Sequence, residues 1–134
     1  MLGLALQRRL APALTVGYLG LIYWLSSQTS PPVPSLGFEG ADKLLHGIEY
    51  GGLGWLLAWS ASAHGARGRA ALFVGAVAGS LYGASDEIHQ AFVPGRECDA
   101  FDWAADTFGS LVGALAFVGA GRWWAGRRLA AEGR

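Results

Sequence analysis

The sequence predicts an all-α integral membrane protein, a bundle of four transmembrane helices with both termini cytoplasmic, built as one domain over residues 1–134. Three observations predict it. The chain is 52% hydrophobic but 15% charged, where ordinary soluble proteins are roughly 25% charged. It holds 21 glycines, which membrane helices tolerate and use to pack closely. Its charges, formally summing to zero, are sorted by position. The acids Glu39, Asp42, Glu49, Asp86, Glu87, Glu97, Asp99, Asp102 and Asp106 fall in or beside the first and third loops of the apolar pattern. The bases Arg8, Arg9, Arg67, Arg69, Arg122, Arg127, Arg128 and Arg134 fall at the termini and in the second loop. Cytoplasmic loops collect Lys and Arg, so the basic side is the cytoplasm and the polar chemistry faces outward.

The first helix is expected over about 10–27, after Arg8 and Arg9. A signal peptide shares the basic start, but its apolar core is only about 7–15 residues. This longer run reads as a retained signal anchor. Pro31, Pro32, Pro34 and Gly37 make the following segment an outer loop without regular structure. The second helix is expected over about 42–63, followed by a short basic loop. The third is expected over about 70–92 and stops at Val93-Pro94-Gly95. The fourth is expected over about 102–124, where a basic tail begins. Each is near the roughly 20 residues that cross about 30 Å of hydrocarbon. Trp55, Trp59, Trp123 and Trp124 suit an interfacial belt.

Other classes are excluded early. A chain of 134 residues leaves no room for a separate catalytic module. Balanced charge gives no footprint for nucleic acid. A lone cysteine, Cys98, forms no intrachain disulfide.

Gly75, Gly79 and Gly83 recur every fourth residue, and Gly109 and Gly113 repeat the spacing. Such stripes let helix backbones approach closely in lipid. At about 100° per residue, Asp86 and Gln90 continue the first stripe, and Asp102 and Asp106 the second. The packed face and the polar face therefore coincide, which places the acids inside the bundle.

On the second helix, Asp42, His46 and Glu49 share a face bordered by Tyr50. The third helix carries Asp86, Glu87, His89 and Gln90 in its last turns, before Arg96. The fourth brings Asp102 and Asp106, preceded by Asp99. An ionised group at the bilayer centre costs about 2.5–3.5 kcal/mol on the gentlest scale. Folding alone does not demand so many. The competing explanation is static: Asp42 and Asp102 as helix caps, and Lys43 and Arg96 locking the acids into an ion-pair network. Several carboxylates at low dielectric must hold protons or bind a cation. Protonation or hydrogen bonding is the expected solution, and a divalent ion the alternative.

Taken in order, Asp42-Lys43-Leu44-Leu45-His46 with Glu49-Tyr50, Asp86-Glu87-Ile88-His89-Gln90 with Val93-Pro94-Gly95-Arg96, and Asp102 with Gly109 and Gly113 resemble the VanZ-like family of bacterial membrane proteins. The family is named for a protein associated with resistance to the lipoglycopeptide teicoplanin. The resemblance implies a cell-envelope setting in the bacterial cytoplasmic membrane. Where the family commonly has Asn four residues after its motif aspartate, this chain has Asp106, which adds a negative charge.

The expected function is non-enzymatic: binding an amphiphilic envelope ligand, either a lipid-linked cell-wall intermediate or a lipoglycopeptide. Lys43 and Arg96 would meet phosphate or carboxylate. Asp42, His46, Glu49, Tyr50, Asp86, Glu87, His89, Gln90, Asp102 and Asp106 would hydrogen-bond sugar or peptide groups. The alternative is an intramembrane, metal-dependent hydrolase or transferase of lipid head groups, with His46, Glu49, Asp86, Glu87 and His89 as catalytic candidates. Against it, the chain has no HExxH spacing and no Ser or Cys elbow. A proton-coupled transporter comes third. No cofactor is expected beyond that divalent ion. The expected partners are membrane lipids and the amphiphile, without nucleic acid.

Overall fold

A computed structural model of the chain describes residues 3–30, 37, 38 and 40–132. The described residues form four α-helices and no strand: α1 Leu4–Ser26, α2 Ala41–Ala63, α3 Arg69–Gln90 and α4 Ala100–Glu132. Glu39, Arg134 and the prolines at 31, 32 and 34, all used in the sequence reading, lie outside the described residues.

Two helices are longer than expected. α1 starts at Leu4 rather than near residue 10, so Arg8 and Arg9 are helical, and the helix runs through Pro12. α4 continues eight residues beyond Trp124, so the basic tail is helical as well. The apolar pattern marks where a helix is greasy, not where it ends, and Arg and Ala are good helix formers. At Arg8 the Nε donates to the Ala63 carbonyl (3.1 Å), tying the start of α1 to the end of α2. At the other end Arg127 lies over the Trp123 ring one turn earlier, 4.7 Å from its centre.

α3 is shorter than expected and ends at Gln90 instead of residue 92. The chain turns through Val93-Pro94-Gly95-Arg96, closed by Arg96 N–H to Val93 O at 3.1 Å. Gly95 has φ +82°, which a turn with Pro second and Gly third requires.

The helices alternate in direction. Ser27, just past α1, meets His89 of α3 at one end, where Lys43 of α2 also meets Asp99 and Asp102. At the other end Arg67 and Arg122 border one cavity of about 360 Å³ with Ser62 and Phe117. The bundle therefore has an acidic end and a basic end.

α2, α3 and α4 pack closely because small residues face one another. A Cβ on Gly113 would strike the Gly51 carbonyl, and one on Gly109 the Gly47 carbonyl. A Cβ on Gly75 would lie 2.7 Å from both Ala114 Cβ and Gly54 O. Among the described residues the large buried apolar side chains are few: Ile22, Tyr50 and Leu53, with Tyr18, Leu19, Leu57 and Tyr82 packed against them. Most large apolar residues point outward instead, among them Val16, Ile48, Phe73, Leu81, Ile88 and Phe108, each more than 60% exposed. Of the described helices, α4 alone meets the usual length and apolarity of a membrane span.

Candidate functional site

The acidic end is organised from Lys43, in the first turn of α2. Its Nζ lies 2.8 Å from Asp42 Oδ2, 2.6 Å from Asp99 Oδ2 and 2.8 Å from Asp102 Oδ1. Asp99 joins three elements. Its Oδ1 accepts the Phe101 backbone N–H (2.8 Å), and its own N–H donates to Glu87 Oε2 on α3 (2.7 Å). The hydrogen bond from Lys43, then that from Phe101, hold the Asp99 carboxyl below its usual pKa. The capping assignment therefore changes. Asp99 is the residue before α4 and bonds its first turn, whereas α2 is preceded by Gly40 without a side-chain cap. Asp42 and Asp102 are one or two positions inside their helices, where both turn to Lys43.

Below this hub, His46 Nδ1 and Asp106 Oδ1 are 2.9 Å apart, and His46 Nε2 is 3.9 Å from Asp102 Oδ2. Asp106 is fully buried and Glu87 is 3% exposed. Ligand atoms of His46, Glu87 and Asp106 lie within 4.8 Å of one another. Asp106 fits only because α3 has no side chain opposite: a Cβ on Gly83 would sit 2.9 Å from both Asp106 Cβ and Oδ2. The glycine stripe that draws the helices together also makes room for the acid.

Beside the hub is a cavity of about 210 Å³ lined by Ile22, Ser26, Asp42, Leu45, His46, Glu49, Asp86, Gln90 and Arg96. Its polar wall is a relay. Arg96 Nε donates to Gln90 Oε1 (3.1 Å), and Gln90 Nε2 donates to Asp86 Oδ2 (2.9 Å). Gln90 and Asp86 are 2% and 5% exposed, so the Pro94-Gly95 turn brings Arg96 back over the end of its own helix.

Two expected members stand elsewhere. His89 faces α1, with Nε2 3.0 Å from Ser27 Oγ and its ring 4.6 Å from that of Tyr23. Ser27 Oγ donates to the Tyr23 carbonyl (2.6 Å). With that proton committed, the hydroxyl accepts from His89, which is the reverse of a nucleophile activated by its base. Tyr50 is fully buried with Ile22 and Leu53 and does not line the cavity. The sequence reading missed Ile22, Ser26 and Leu45. The α1 residues carry no charge or motif, and only the packing of α1 against α2 brings them to the site.

The family model described as VanZ/LLP1 matches residues 10–123. The chain belongs to the VanZ/LLP1 family. Among curated proteins and solved structures, none matches significantly. The matched range of this VanZ/LLP1 chain takes in the Lys43 hub, the His46–Asp106 pair and the whole cavity lining.

Proposed function

We propose that this VanZ/LLP1 protein crosses the bacterial cytoplasmic membrane four times, with both termini in the cytoplasm. At its outward-facing acidic end it binds the head group of an amphiphilic cell-envelope molecule. The membrane reading is supported by a surface of large apolar side chains around a seam of glycines, the reverse of a soluble core. The helices run from 22 to 33 residues, enough for about 30 Å of hydrocarbon. The arginine-rich end supports the orientation.

The observation that carries the binding reading is the cavity. It sets polar groups (Arg96, Gln90, Asp86, Glu49, His46) beside the apolar Ile22 and Leu45. Its size limits how much of a ligand it encloses. At about 210 Å³ it is below the roughly 300–1,000 Å³ of sites that enclose drug-sized molecules. It therefore encloses a sugar or phosphate portion of such an amphiphile, a lipid-linked cell-wall intermediate or a lipoglycopeptide, rather than the whole molecule.

The test is binding of a purified lipid-linked cell-wall intermediate to the protein in nanodiscs. Saturable binding, weakened about tenfold or more in Arg96→Ala and Glu49→Gln, is expected. Equal binding by both variants and wild type would refute the site. Orientation has its own reporter, since Cys98 is exposed in the α3–α4 loop. A membrane-impermeant thiol reagent should label it in intact spheroplasts, and labelling only after permeabilisation would reverse the topology.

A further inference from the structure

We propose that His46, Glu87 and Asp106 form a site for one divalent transition-metal ion, of the zinc or manganese class, beneath the head-group cavity. This goes beyond the head-group reading and does not depend on it.

Each carboxylate is fixed through one oxygen and bare at the other. Glu87 Oε2 accepts the Asp99 N–H, and Asp106 Oδ1 takes the His46 Nδ1 contact. Glu87 Oε1 and Asp106 Oδ2 are buried and have no hydrogen-bond partner among the described residues. Buried polar atoms are ordinarily paired, and an orphaned carboxylate oxygen is among the most costly exceptions. Two buried carboxylates, each with a bare oxygen and gathered with an imidazole, point to a missing cation.

Lys43 does not supply it, because its ammonium already contacts Asp42, Asp99 and Asp102. His46 completes the pattern. With Nε2–H turned toward Asp102 Oδ2 across 3.9 Å, its Nδ1 points a lone pair at Asp106 Oδ1, 2.9 Å away. Two acceptors facing each other repel unless a positive charge lies near both. A metal-bound imidazole commonly donates its other N–H to a carboxylate, which sets tautomer and ring orientation. Asp102, facing Nε2, stands in the place of that carboxylate.

The donor set selects the ion. One imidazole nitrogen with carboxylate oxygens suits zinc or manganese, whereas magnesium and calcium favour all-oxygen shells. Metal–ligand distances of about 2.0–2.2 Å place donors roughly 3.5 Å apart. The donors lie within 4.8 Å of one another, so they would draw in by about 1 Å to reach that spacing.

The experiment uses the full chain, purified in detergent and stripped with chelator, then titrated with Co²⁺ as a spectroscopic probe and with Zn²⁺, Mn²⁺, Mg²⁺ and Ca²⁺ by thermal melting. One equivalent of Co²⁺ should develop visible absorption that Zn²⁺ displaces, and Zn²⁺ or Mn²⁺ should raise the melting temperature while Mg²⁺ and Ca²⁺ do not. Glu87→Gln and Asp106→Asn should each weaken Co²⁺ binding by about 100-fold or more. Glu97→Gln, an exposed acid in the α3–α4 loop, should bind as wild type does. Both site variants are isosteric, and their metal-free melting curves report whether they fold. If Asp106→Asn does not fold, Glu87→Gln carries the test. No absorption and no melting shift with any metal would overturn the proposal and leave shared protons between the carboxylates. Binding that persists in Glu87→Gln would place the ion elsewhere and overturn it too.

Discussion

At the acidic end of the bundle, Asp86, Glu87, Gln90 and Asp106 are between 0% and 5% exposed, and each engages a neighbour through a named oxygen or nitrogen. At the basic end, Arg67, Arg69, Arg122, Arg127 and Arg128 are all exposed, with Arg127 laid over Trp123 on its own helix. Charges left in water cost little and contribute little to stability, so the basic end is replaceable residue by residue. Charges carried inside a bundle are expensive and hold their positions only through specific partners. The difference separates a region of exposed, loosely held charge from one whose charges are buried and individually partnered.

Four measurements would break or sharpen that contrast. The largest effect is expected on the glycine seam that carries the acidic end. Gly113→Leu would drive a side chain into the Gly51 backbone and should destabilise the bundle by about 3 kcal/mol. Unfolding in mixed micelles would show it, and a change under about 1 kcal/mol would mean that the seam opens freely. Next is Lys43→Met, which strips three carboxylates of their shared cation. The loss should be about 1 kcal/mol, against less than about 0.5 kcal/mol for Arg122→Met at the basic end. Equal losses in the two variants would erase the distinction between the ends.

A smaller effect of opposite sign is expected at the basic end. A Cβ on Gly126 meets nothing within 4 Å, so Gly126→Ala should stabilise α4 by about 0.5–1 kcal/mol through helix propensity. Destabilisation there would reveal an unsuspected contact. The smallest effect is a pH dependence. The Asp99 pKa is lowered in the fold, chiefly by Lys43, so its contribution is complete above the ordinary carboxylate value of about 3.9. It is lost as pH falls through the lower folded value. The gap in melting temperature between wild type and Asp99→Asn should be constant near neutrality and shrink below about pH 4. A gap that widens on acidification would contradict the sign.

Much of this was legible because the relevant signals are periodic. Gly75, Gly79, Gly83, Asp86 and Gln90 announce one inward face by spacing alone, and that face is buried. Asp106, Gly109 and Gly113 do the same on α4. His89 misled because it neighbours Gln90 in sequence, yet one residue is about 100° around a helix, enough to turn it to Ser27 and Tyr23. The helix ends were illegible for another reason. Apolarity stops at Trp124, but helix formation continues through Arg127, Arg128 and Ala130 to Glu132.

By itself, the sequence determined the number of helices, the sorting of charge between the two ends and the inward faces of α3 and α4. Each of these depends only on local spacing along the chain. The tertiary structure decided what spacing cannot hold: which atoms meet between helices. It made Asp99 rather than Asp102 the partner of the α4 N-terminus, gave Lys43 three carboxylates and brought Ile22 and Ser26 of α1 to the cavity. It also left Glu87 Oε1 and Asp106 Oδ2 buried and bare. A helix face is fixed by residues three and four apart, whereas a hydrogen bond across the bundle is fixed by where neighbouring backbones come to rest, and the glycines set that distance.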